Sequence, residues 1–164
     1  MKIKVCGMKD KENIEALEKV REVDFMGHIF TEKSPRFIGG NQVKSHISSF
    51  GVFVNSSKSE IEKAVLDYDL SYIQLHGDES PAFSRSINES VKPVVKVFAI
   101  SNKQEYKGKT PFFLSGGISV DDAQAIKEIQ HPLLFGVDIN SRFEVKPGIK
   151  NIEEIKTFAK QLKS

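Results

Sequence analysis

The sequence predicts an α/β fold in which strand–helix units repeat along a single domain, residues 1–164. Short β-branched or aromatic runs alternate with amphipathic stretches of helical periodicity. The runs are continuously apolar, which is typical of parallel strands buried on both faces. Seven of these runs begin 18 to 27 residues apart, and no linker interrupts them. We therefore expect a barrel of the TIM type, shortened to about seven units, in preference to an open sheet.

The predicted elements follow one another along the chain, each bounded by turn residues. Strands are predicted at 2–6, 23–30, 50–54, 72–75, 93–100, 112–114 and 133–139. Helices are predicted from Asp10 to about 21 and at about 42–48, 57–67, 79–88, 120–129 and 151–162. Asp10 is a residue type that caps helix N-termini, and Ile14, Leu17 and Val20 follow it on one helical face.

The interval between the fifth and sixth strands is unusually short. Only ten residues, 101–110, separate the fifth strand from Pro111. They can form at most about two helical turns, whereas a crossover between parallel strands usually needs about a dozen residues or more. We therefore expect the repeat to be compressed at this point.

Composition and charge exclude several classes of protein. The chain has 24 Lys and Arg against 22 Asp and Glu, and its net charge of +2 argues against a nucleic-acid partner, which needs a concentrated basic face. No apolar run approaches the roughly 20 residues of a membrane-spanning helix, so we expect no membrane partner. One cysteine and the lack of an apolar leader segment indicate a cytoplasmic protein. His28, His46 and His131 show no metal-ligand spacing with Cys6 or one another, and we expect no metal.

Catalytic groups in a barrel of this kind lie at the carboxyl ends of its strands. Cys6 is the last residue of the first predicted strand and precedes a glycine. Its thiolate can act as a general base or nucleophile, although a free cysteine is also a common small core residue. Arg36 follows Pro35 in the loop after the second strand, where it is either a surface charge or a bidentate carboxylate ligand.

Two turns later in the sequence contain further candidate functional residues. His76 lies between turn signals after the fourth strand, where it is either structural or functional. Gly116 and Gly117 precede a predicted helix and form either a tight turn or a phosphate site built from backbone N–H groups. Loops after the last strands of such barrels often bind phosphate, which favours the functional interpretation.

Segments spread along the whole chain carry a family resemblance. They are KVCGM at 4–8, MGHIF at 26–30, SPRF at 34–37, GVFVN at 51–55, QLHGDE at 74–79, LSGGI at 114–118 and GVDINSRFE with PG within 136–148. Together they resemble the phosphoribosylanthranilate isomerases, (βα)8-barrel enzymes of tryptophan biosynthesis. The segments occur in the family's order, and QLHGDE combined with a cysteine at the end of the first strand is specific to it.

The resemblance implies an Amadori rearrangement of a small phosphorylated-sugar anthranilate, without a cofactor. A general acid protonates the ring oxygen and opens the ring to a Schiff base, and a general base removes the proton from C2′. By this resemblance Cys6 is the general base. Asp138, which ends the final barrel strand, is a second catalytic residue.

The same resemblance assigns the substrate-binding residues. Arg36 matches the residue that holds the anthranilate carboxylate, and Gln74 and His76 match the wall of the active site. The phosphate-binding turns correspond to Gly116, Gly117, Asn140, Ser141 and Arg142.

The chain departs from the family pattern in the compressed interval. The family has a further strand, its sixth, between 93–100 and 112–114, and that strand ends in the aspartate that acts as general acid. About one strand–helix unit is therefore absent, and the chain has a matched base without a matched acid. We expect the flanking strands either to pair directly or to leave open edges that pair with another copy, giving a homo-oligomer.

Three functions stay open at this point. The first is an isomerase of this family with weakened or altered activity. The second is a phosphate-binding remnant or engineered truncation without catalysis. The third is a related phosphate-sugar barrel enzyme, such as an epimerase, but it would leave Cys6, Arg36 and 74–79 without a common explanation.

Overall fold

The computed structural model of the chain describes residues 1–41, 44–97 and 109–164. Its strands are β1 (Lys2–Cys6), β2 (Phe25–Ile29), β3 (Ser48–Phe53), β4 (Tyr72–Leu75), β5 (Val94–Lys96), β6 (Phe112–Ser115), β7 (Leu134–Ile139), β8 (Glu144–Lys146) and β9 (Ile149–Lys150). Its helices are α1 (Lys11–Leu17), α2 (Lys58–Tyr68), α3 (Pro81–Ser90), α4 (Ala123–Lys127) and α5 (Ile152–Lys163). Short 3₁₀ turns cover Val120–Asp122 and Ser141–Phe143.

The strands β1 to β7 form one parallel sheet in the order β5-β4-β3-β2-β1-β7-β6. In a flat sheet, β3 and β6 would lie about four strand spacings apart, or roughly 19 Å. The rings of Phe50 on β3 and Phe113 on β6 instead have centroids only 6.0 Å apart. The sheet therefore curls until distant strands face each other, which is the curvature of an incomplete barrel.

Helices cover the outer face of this sheet, and two apolar clusters fill the space between the layers. One cluster lies beneath α1, α4 and α5 and contains the buried side chains of Ile3, Val137 and Phe158. The other lies beneath α2 and α3 and contains Ile61 and Ile73. Burying a side chain of this size contributes about 1.5–3 kcal/mol, so these clusters are the main stabilising element of the fold.

Side-chain caps explain where the helices begin. The Asp10 carboxylate accepts a hydrogen bond from the Asn13 N–H (2.9 Å) in front of α1, as the sequence predicts. Helix α2 begins with a reciprocal capping box between Ser57 and Glu60. Such caps satisfy N–H groups that have no partner within the helix, and each contributes about 1 kcal/mol.

The inner face of the sheet carries a layer of aromatic rings. Phe25 on β2 meets Phe50 on β3 edge-on, with ring centroids 5.5 Å apart. Edge-to-face packing of this kind is the favoured arrangement of aromatic side chains. A cavity of about 220 Å³ remains among the rings, lined by Phe25, Phe50, Tyr72, Val95, Pro111, Phe113 and Phe135.

The N-terminal and C-terminal parts of the chain are held together. Strand β1 pairs with β7 from Lys2 opposite Gly136 onward. One oxygen of the Asp24 carboxylate pairs with Lys2 Nζ (2.7 Å) and the other with Lys163 Nζ (2.8 Å). The Asn13 amide donates to the Lys150 carbonyl (2.9 Å) and accepts from the Lys150 N–H (2.7 Å).

The predicted alternation of parallel strands and helices is confirmed, and β1 and β4 have the predicted bounds. The predicted helix at about 42–48 is wrong over its described residues, since 44–47 are not helical and Ser48 already belongs to β3. The Glu18 carboxylate accepts the His46 N–H (3.1 Å) and Ser45 Oγ accepts the Ile47 N–H (3.1 Å), so these donors are satisfied outside a helix. Residues 42–43 lie outside the described residues.

Other bounds differ as well. Helix α1 ends at Leu17, and the predicted helix at 120–129 is divided into a 3₁₀ turn and α4. The division follows from Asp122, whose carboxylate accepts the Ser119 N–H (2.7 Å) and closes a tight first turn. The β8–β9 hairpin is not predicted from the sequence, and Gly148 supplies its turn with a φ of +84°.

Strands β5 and β6 form the two edges of the sheet, and no pairing joins them within the described part of the chain. The direct pairing considered from the sequence is therefore not found there. The predicted strand at 93–100 is seen as β5, and the segment 98–108 that follows it lies outside the described residues. The short interval noted in the sequence therefore lies between β5 and β6, the two edge strands of the sheet.

Replacing Gly136 by alanine should destabilise the sheet, because a Cβ at this position would lie 2.3 Å from the Lys2 carbonyl oxygen. We expect the free energy of unfolding to fall by about 1–3 kcal/mol, the usual cost of overpacking. Gly40→Ala is the control, since a Cβ there would meet no atom within 4 Å in the described part of the chain. Urea denaturation followed by circular dichroism compares them, and equal midpoints would contradict the close packing of β7 on β1.

Candidate active site

Strand alternation brings four polar side chains together on the inner face of the sheet. Lys4 and Cys6 are two residues apart on β1 and therefore point to the same side. Asp138 on β7 is the register partner of Lys4, and Gln74 on β4 reaches the same ammonium group. None of the four is more than 9% exposed.

The Lys4 ammonium is the centre of this group. Its Nζ donates to Asp138 Oδ2 (2.8 Å) and Gln74 Oε1 (3.0 Å) and also interacts with the Cys6 thiol. Burial alone would lower the pKa of Lys4, but Asp138 and Cys6 outweigh it and raise the pKa above its ordinary 10.5. An ammonium has three N–H donors, and two of them are bonded to Asp138 and Gln74. Lys4 therefore supplies a positive charge that is fixed beside Cys6.

Cys6 lies where the sequence places the candidate base. Burial raises the pKa of its thiol above the ordinary 9.0; the Lys4 ammonium opposes this shift, Asp138 adds to it and the Lys150 ammonium opposes it. Gly27 on the neighbouring strand leaves the necessary room, since a Cβ there would lie 3.1 Å from both Cys6 Sγ and Lys4 Nζ. Cys6 is therefore mainly a neutral thiol at neutral pH, with two cations near enough to stabilise its thiolate.

A second charge network lies at the carboxyl end of β1. Arg36, from the loop after β2, donates through Nε to Glu144 Oε1 (2.9 Å) and through Nη2 to Glu144 Oε2 (2.7 Å). Lys150 Nζ donates to the same Glu144 Oε1 (2.7 Å) and to Asn140 Oδ1 (2.7 Å). Burial alone would raise the pKa of Glu144, but Arg36 and Lys150 hold it below its ordinary 4.5. Arg36, predicted as a carboxylate ligand, thus binds a carboxylate of its own chain.

The predicted glycine turn has the backbone that such a turn requires. Gly116 and Gly117 follow β6 with φ angles of +103° and +66°, which favour glycine. A Cβ at either position would meet no atom of the described residues within 4 Å. As far as those residues go, the space around this turn is open.

The remaining predicted residues divide into two groups. Asn140 is drawn into the second charge network by Lys150, whereas Ser141 and Arg142 are exposed in the 3₁₀ turn after β7. His76 is exposed directly after β4, and its backbone N–H donates to the Phe53 carbonyl (2.9 Å). The structure therefore groups Cys6 with Gln74, Asp138 and Arg36 and leaves His76, Ser141 and Arg142 at the rim.

Three residues of the site are not predicted from the sequence as site residues: Lys4, Glu144 and Lys150. Lys4 carries a usable signal, because it shares strand parity with Cys6 in a run that is otherwise buried. Glu144 and Lys150 have no such signal, because they meet only through the β8–β9 hairpin, in which they are register partners.

The described residues hold no free carboxyl group where a general acid is needed. The two carboxylates of the charge networks, Asp138 and Glu144, are each paired with a cation. The resemblance implies a further strand between β5 and β6, and the described part of the chain shows none there. The described part of the site thus brings the predicted base, Cys6, together with predicted binding residues, but it contains no unpaired carboxyl group.

The described residues offer few other candidates for a binding site. No group of three or more His, Cys, Asp or Glu side chains in that part of the chain is arranged to hold a metal ion. None of its helices is long and apolar enough to cross a membrane. A cavity of about 550 Å³ lies outside the barrel, between α2 and the loop after β2.

Comparison with known proteins identifies similar sequences. The profile of the family described as N-(5'-phosphoribosyl)anthranilate (PRA) isomerase matches residues 3–110 and 99–161. The N-(5'-phosphoribosyl)anthranilate isomerase of Parabacteroides distasonis is 31% identical over 99% of this chain and 93% of that protein. The protein of the same name from Phocaeicola vulgatus is 32% identical over 99% and 98%. The first alignment spans 207 positions, 43 more than the 164 residues present here, which agrees with the expected internal shortening.

Solved structures are similar over the same extent. A structure of mutually generated monomers of the dimeric phosphoribosylanthranilate isomerase from Thermotoga maritima is 26% identical, with a TM-score of 0.83 over 100% of this chain and 99% of that chain. A phosphoribosyl anthranilate isomerase in complex with reduced 1-(o-carboxyphenylamino)-1-deoxyribulose 5-phosphate is 26% identical, with a TM-score of 0.84 over 99% and 98%. The predicted TIM-type fold is confirmed, with seven parallel strands among the residues that the structure describes.

Alkylation of Cys6 by iodoacetamide should increase with pH through a midpoint above 9.0, because burial raises the pKa of this thiol. Intact-mass spectrometry reports the reaction directly, since Cys6 is the single cysteine of the chain. Lys150→Gln should move the midpoint higher, because it removes a cation that favours the thiolate. The shift is limited, because burial lowers the pKa of the Lys150 ammonium below its ordinary 10.5. Lys146→Gln, at an exposed position of the same hairpin, is the control. A wild-type midpoint near neutral pH would contradict the expected environment.

Proposed function

The chain belongs to the N-(5'-phosphoribosyl)anthranilate isomerase family, and from this premise we propose that it binds the family's phosphorylated ribosyl-anthranilate substrate and isomerises it slowly. The observation that carries the proposal is the Cys6 thiol at the end of β1, within electrostatic reach of the Lys4 and Lys150 ammonium groups. The Arg36 guanidinium lies in the same network. These groups meet at the carboxyl ends of the strands, where barrel enzymes carry their function.

Cys6 acts as the general base in the proposed reaction. The bond between C1′ and the ring oxygen breaks as that oxygen takes up a proton from water, and the nitrogen lone pair forms the protonated Schiff base. The Cys6 thiolate then removes the proton from C2′, and the C–H electrons form the enamine, which tautomerises to the aminoketose. The positive charges of Lys4 and Lys150 favour the thiolate that this step requires.

Asp138 is proposed to hold the sugar. Its Oδ2 accepts from Lys4, whereas its buried Oδ1 has no hydrogen-bond partner among the described residues. A buried acceptor without a donor costs about 1–3 kcal/mol. A substrate hydroxyl that donates to Oδ1 would recover this free energy, so we assign Asp138 a contact with the sugar beside Cys6.

Arg36 and the glycine turn are proposed to hold the two ends of the substrate. Arg36 would receive the anthranilate carboxylate. The phosphate would lie at Gly116 and Gly117, whose backbone conformation and open surroundings suit an anion. Strands β6 and β7 are parallel neighbours, so the turns at their carboxyl ends are adjacent and can share the phosphate. The second turn contributes Asn140, Ser141 and Arg142.

The missing acid limits the proposed rate. A positioned general acid contributes about 10²- to 10⁴-fold to a reaction of this kind. The same observation favours a second candidate function, a protein that binds the phosphorylated ligand without converting it. The two candidates share one site and differ only in turnover.

We also propose a cytoplasmic location. Cys6 is a free thiol, and such thiols persist in reducing compartments. The biosynthetic role of the family fits the same compartment.

A homo-oligomer formed through the open edges is the last part of the proposal. Strands β5 and β6 end the sheet without pairing to each other in the described part of the chain. Unpaired strand edges are templates for association with another chain. Two copies that join their edges would satisfy these backbone groups.

The purified chain should convert N-(5'-phosphoribosyl)anthranilate, followed by fluorescence, about 10²- to 10⁴-fold more slowly than a full-length relative. Cys6→Ser should abolish conversion, because a serine hydroxyl ionises far less readily than a thiol and supplies almost no deprotonated base near neutral pH. Complementation of a tryptophan auxotroph that lacks the isomerase gives a cellular readout. Ligand binding without turnover would select the second candidate function, and the absence of both would overturn the proposal.

Size-exclusion chromatography with light scattering should give a mass of about twice the 18.4 kDa of one chain at high concentration. Dilution over about a hundred-fold range should shift the mass toward the monomer, because association follows mass action. A constant monomer mass over the whole range would contradict association through the sheet edges.

A further inference from the structure

The Arg36 guanidinium has two edges that can bind a carboxylate, and the chain itself occupies one of them. A guanidinium carries five N–H donors in one plane, with one edge formed by Nε and Nη2 and another by Nη1 and Nη2. Both Glu144 oxygens lie on the Nε–Nη2 edge, at 2.7 to 3.1 Å. Nη1 has no acceptor among the described residues. The second edge is therefore available to another carboxylate in the same plane.

Glu144 is itself held in a fixed position. Its Oε1 also accepts from Lys150 Nζ (2.7 Å) and from the Gly148 N–H (3.0 Å). The Glu144 side chain is 4% exposed and that of Lys150 is fully buried. Bidentate, charge-assisted bonds restrict orientation as well as adding energy. Glu144 therefore fixes the plane of the Arg36 guanidinium.

The charge of this group points to an anion. Arg36 and Lys150 are positive and Glu144 is negative, so the three together carry one net positive charge. An uncompensated charge in a buried place is costly. A carboxylate on the free edge of Arg36 would neutralise the group, and its two oxygens would match the two coplanar N–H donors of that edge, one on Nη1 and one on Nη2.

We propose that Glu144 is a positioning residue that orients Arg36 toward the aromatic carboxylate of the ligand, and that Lys150 keeps Glu144 in place. This inference rests on the proposed function, since it takes the anthranilate carboxylate as the occupant. Glu144 does not touch the ligand and acts through Arg36. It thereby sets the preference of the site for an ortho-carboxylated aromatic ring over an unsubstituted one.

Isothermal titration calorimetry with two ligands tests the proposal. One is reduced 1-(o-carboxyphenylamino)-1-deoxyribulose 5-phosphate, the compound bound by the solved relative, and the other is the same compound without the ring carboxylate. Glu144→Gln should weaken the first ligand about 10- to 100-fold and leave the second unchanged. Glu153→Gln, at a side chain that is 80% exposed, is the matched control and should change neither affinity.

A double-mutant cycle shows whether Glu144 acts through Arg36. The variant with both Glu144→Gln and Arg36→Lys should bind the carboxylated ligand no more weakly than Arg36→Lys alone. Additive losses, or equal losses for both ligands, would overturn the positioning role while leaving the proposed function intact. Wild-type protein that binds neither ligand would overturn the proposed function and this inference with it. If Glu144→Gln does not fold, Glu144→Asp, which keeps the charge on a shorter arm, replaces it throughout.

Discussion

The buried charge of Lys4 is the constraint on which the inner face of the barrel depends. An ammonium in the interior is tolerated only with close partners, because the effective cost of burying an ion is several kcal/mol. Those partners, Asp138 and Gln74, come from strands on opposite sides of β1 in the sheet. They reach one nitrogen only if the sheet curls. The electrostatic environment of Cys6 and the curvature of the sheet are therefore parts of one arrangement, and a flatter sheet would lose both.

Cys6 lies near cations of both charge networks, and these networks are built from different parts of the fold. Lys4 approaches from the inner face of the sheet, whereas Lys150 approaches from the hairpin that follows β7. The hairpin is held in turn by the paired amide of Asn13 on α1. The thiolate is thus favoured only when the first helix, the sheet and the hairpin are assembled together. This dependence explains why a site on so small a protein needs contacts from both ends of the sequence.

Local patterns in the sequence predict the strands well because continuous apolar runs mark buried parallel strands. They also single out Cys6 and Arg36 as candidate site residues because these residues end or follow strands, whereas the role of Asp138 follows from the family resemblance. They fail where a distant contact decides the outcome. The segment 44–47 is not helical because Glu18, far away in sequence, takes the N–H of His46. The pairing of Glu144 with Arg36 cannot be predicted from local patterns either, because the two residues are 108 positions apart in the sequence. Lysine side chains are usually exposed, so the burial of Lys4 is unexpected. The one sequence signal for it is that Lys4 lies two residues from Cys6 on the same strand and therefore faces the same side.

The two open edges of the sheet do not coincide with the two ends of the sequence. The rims of the sheet, β5 and β6, come from the middle of the sequence, whereas β1 and β7, from its two ends, are adjacent strands within the sheet. Lys2 and Lys163 even share the carboxylate of Asp24. If residues 1 and 164 were joined and the chain opened between β5 and β6, strand order in sequence and in space would coincide. The sheet is therefore continuous from β5 to β6, and the break in the covalent chain lies between the adjacent strands β7 and β1, inside the sheet.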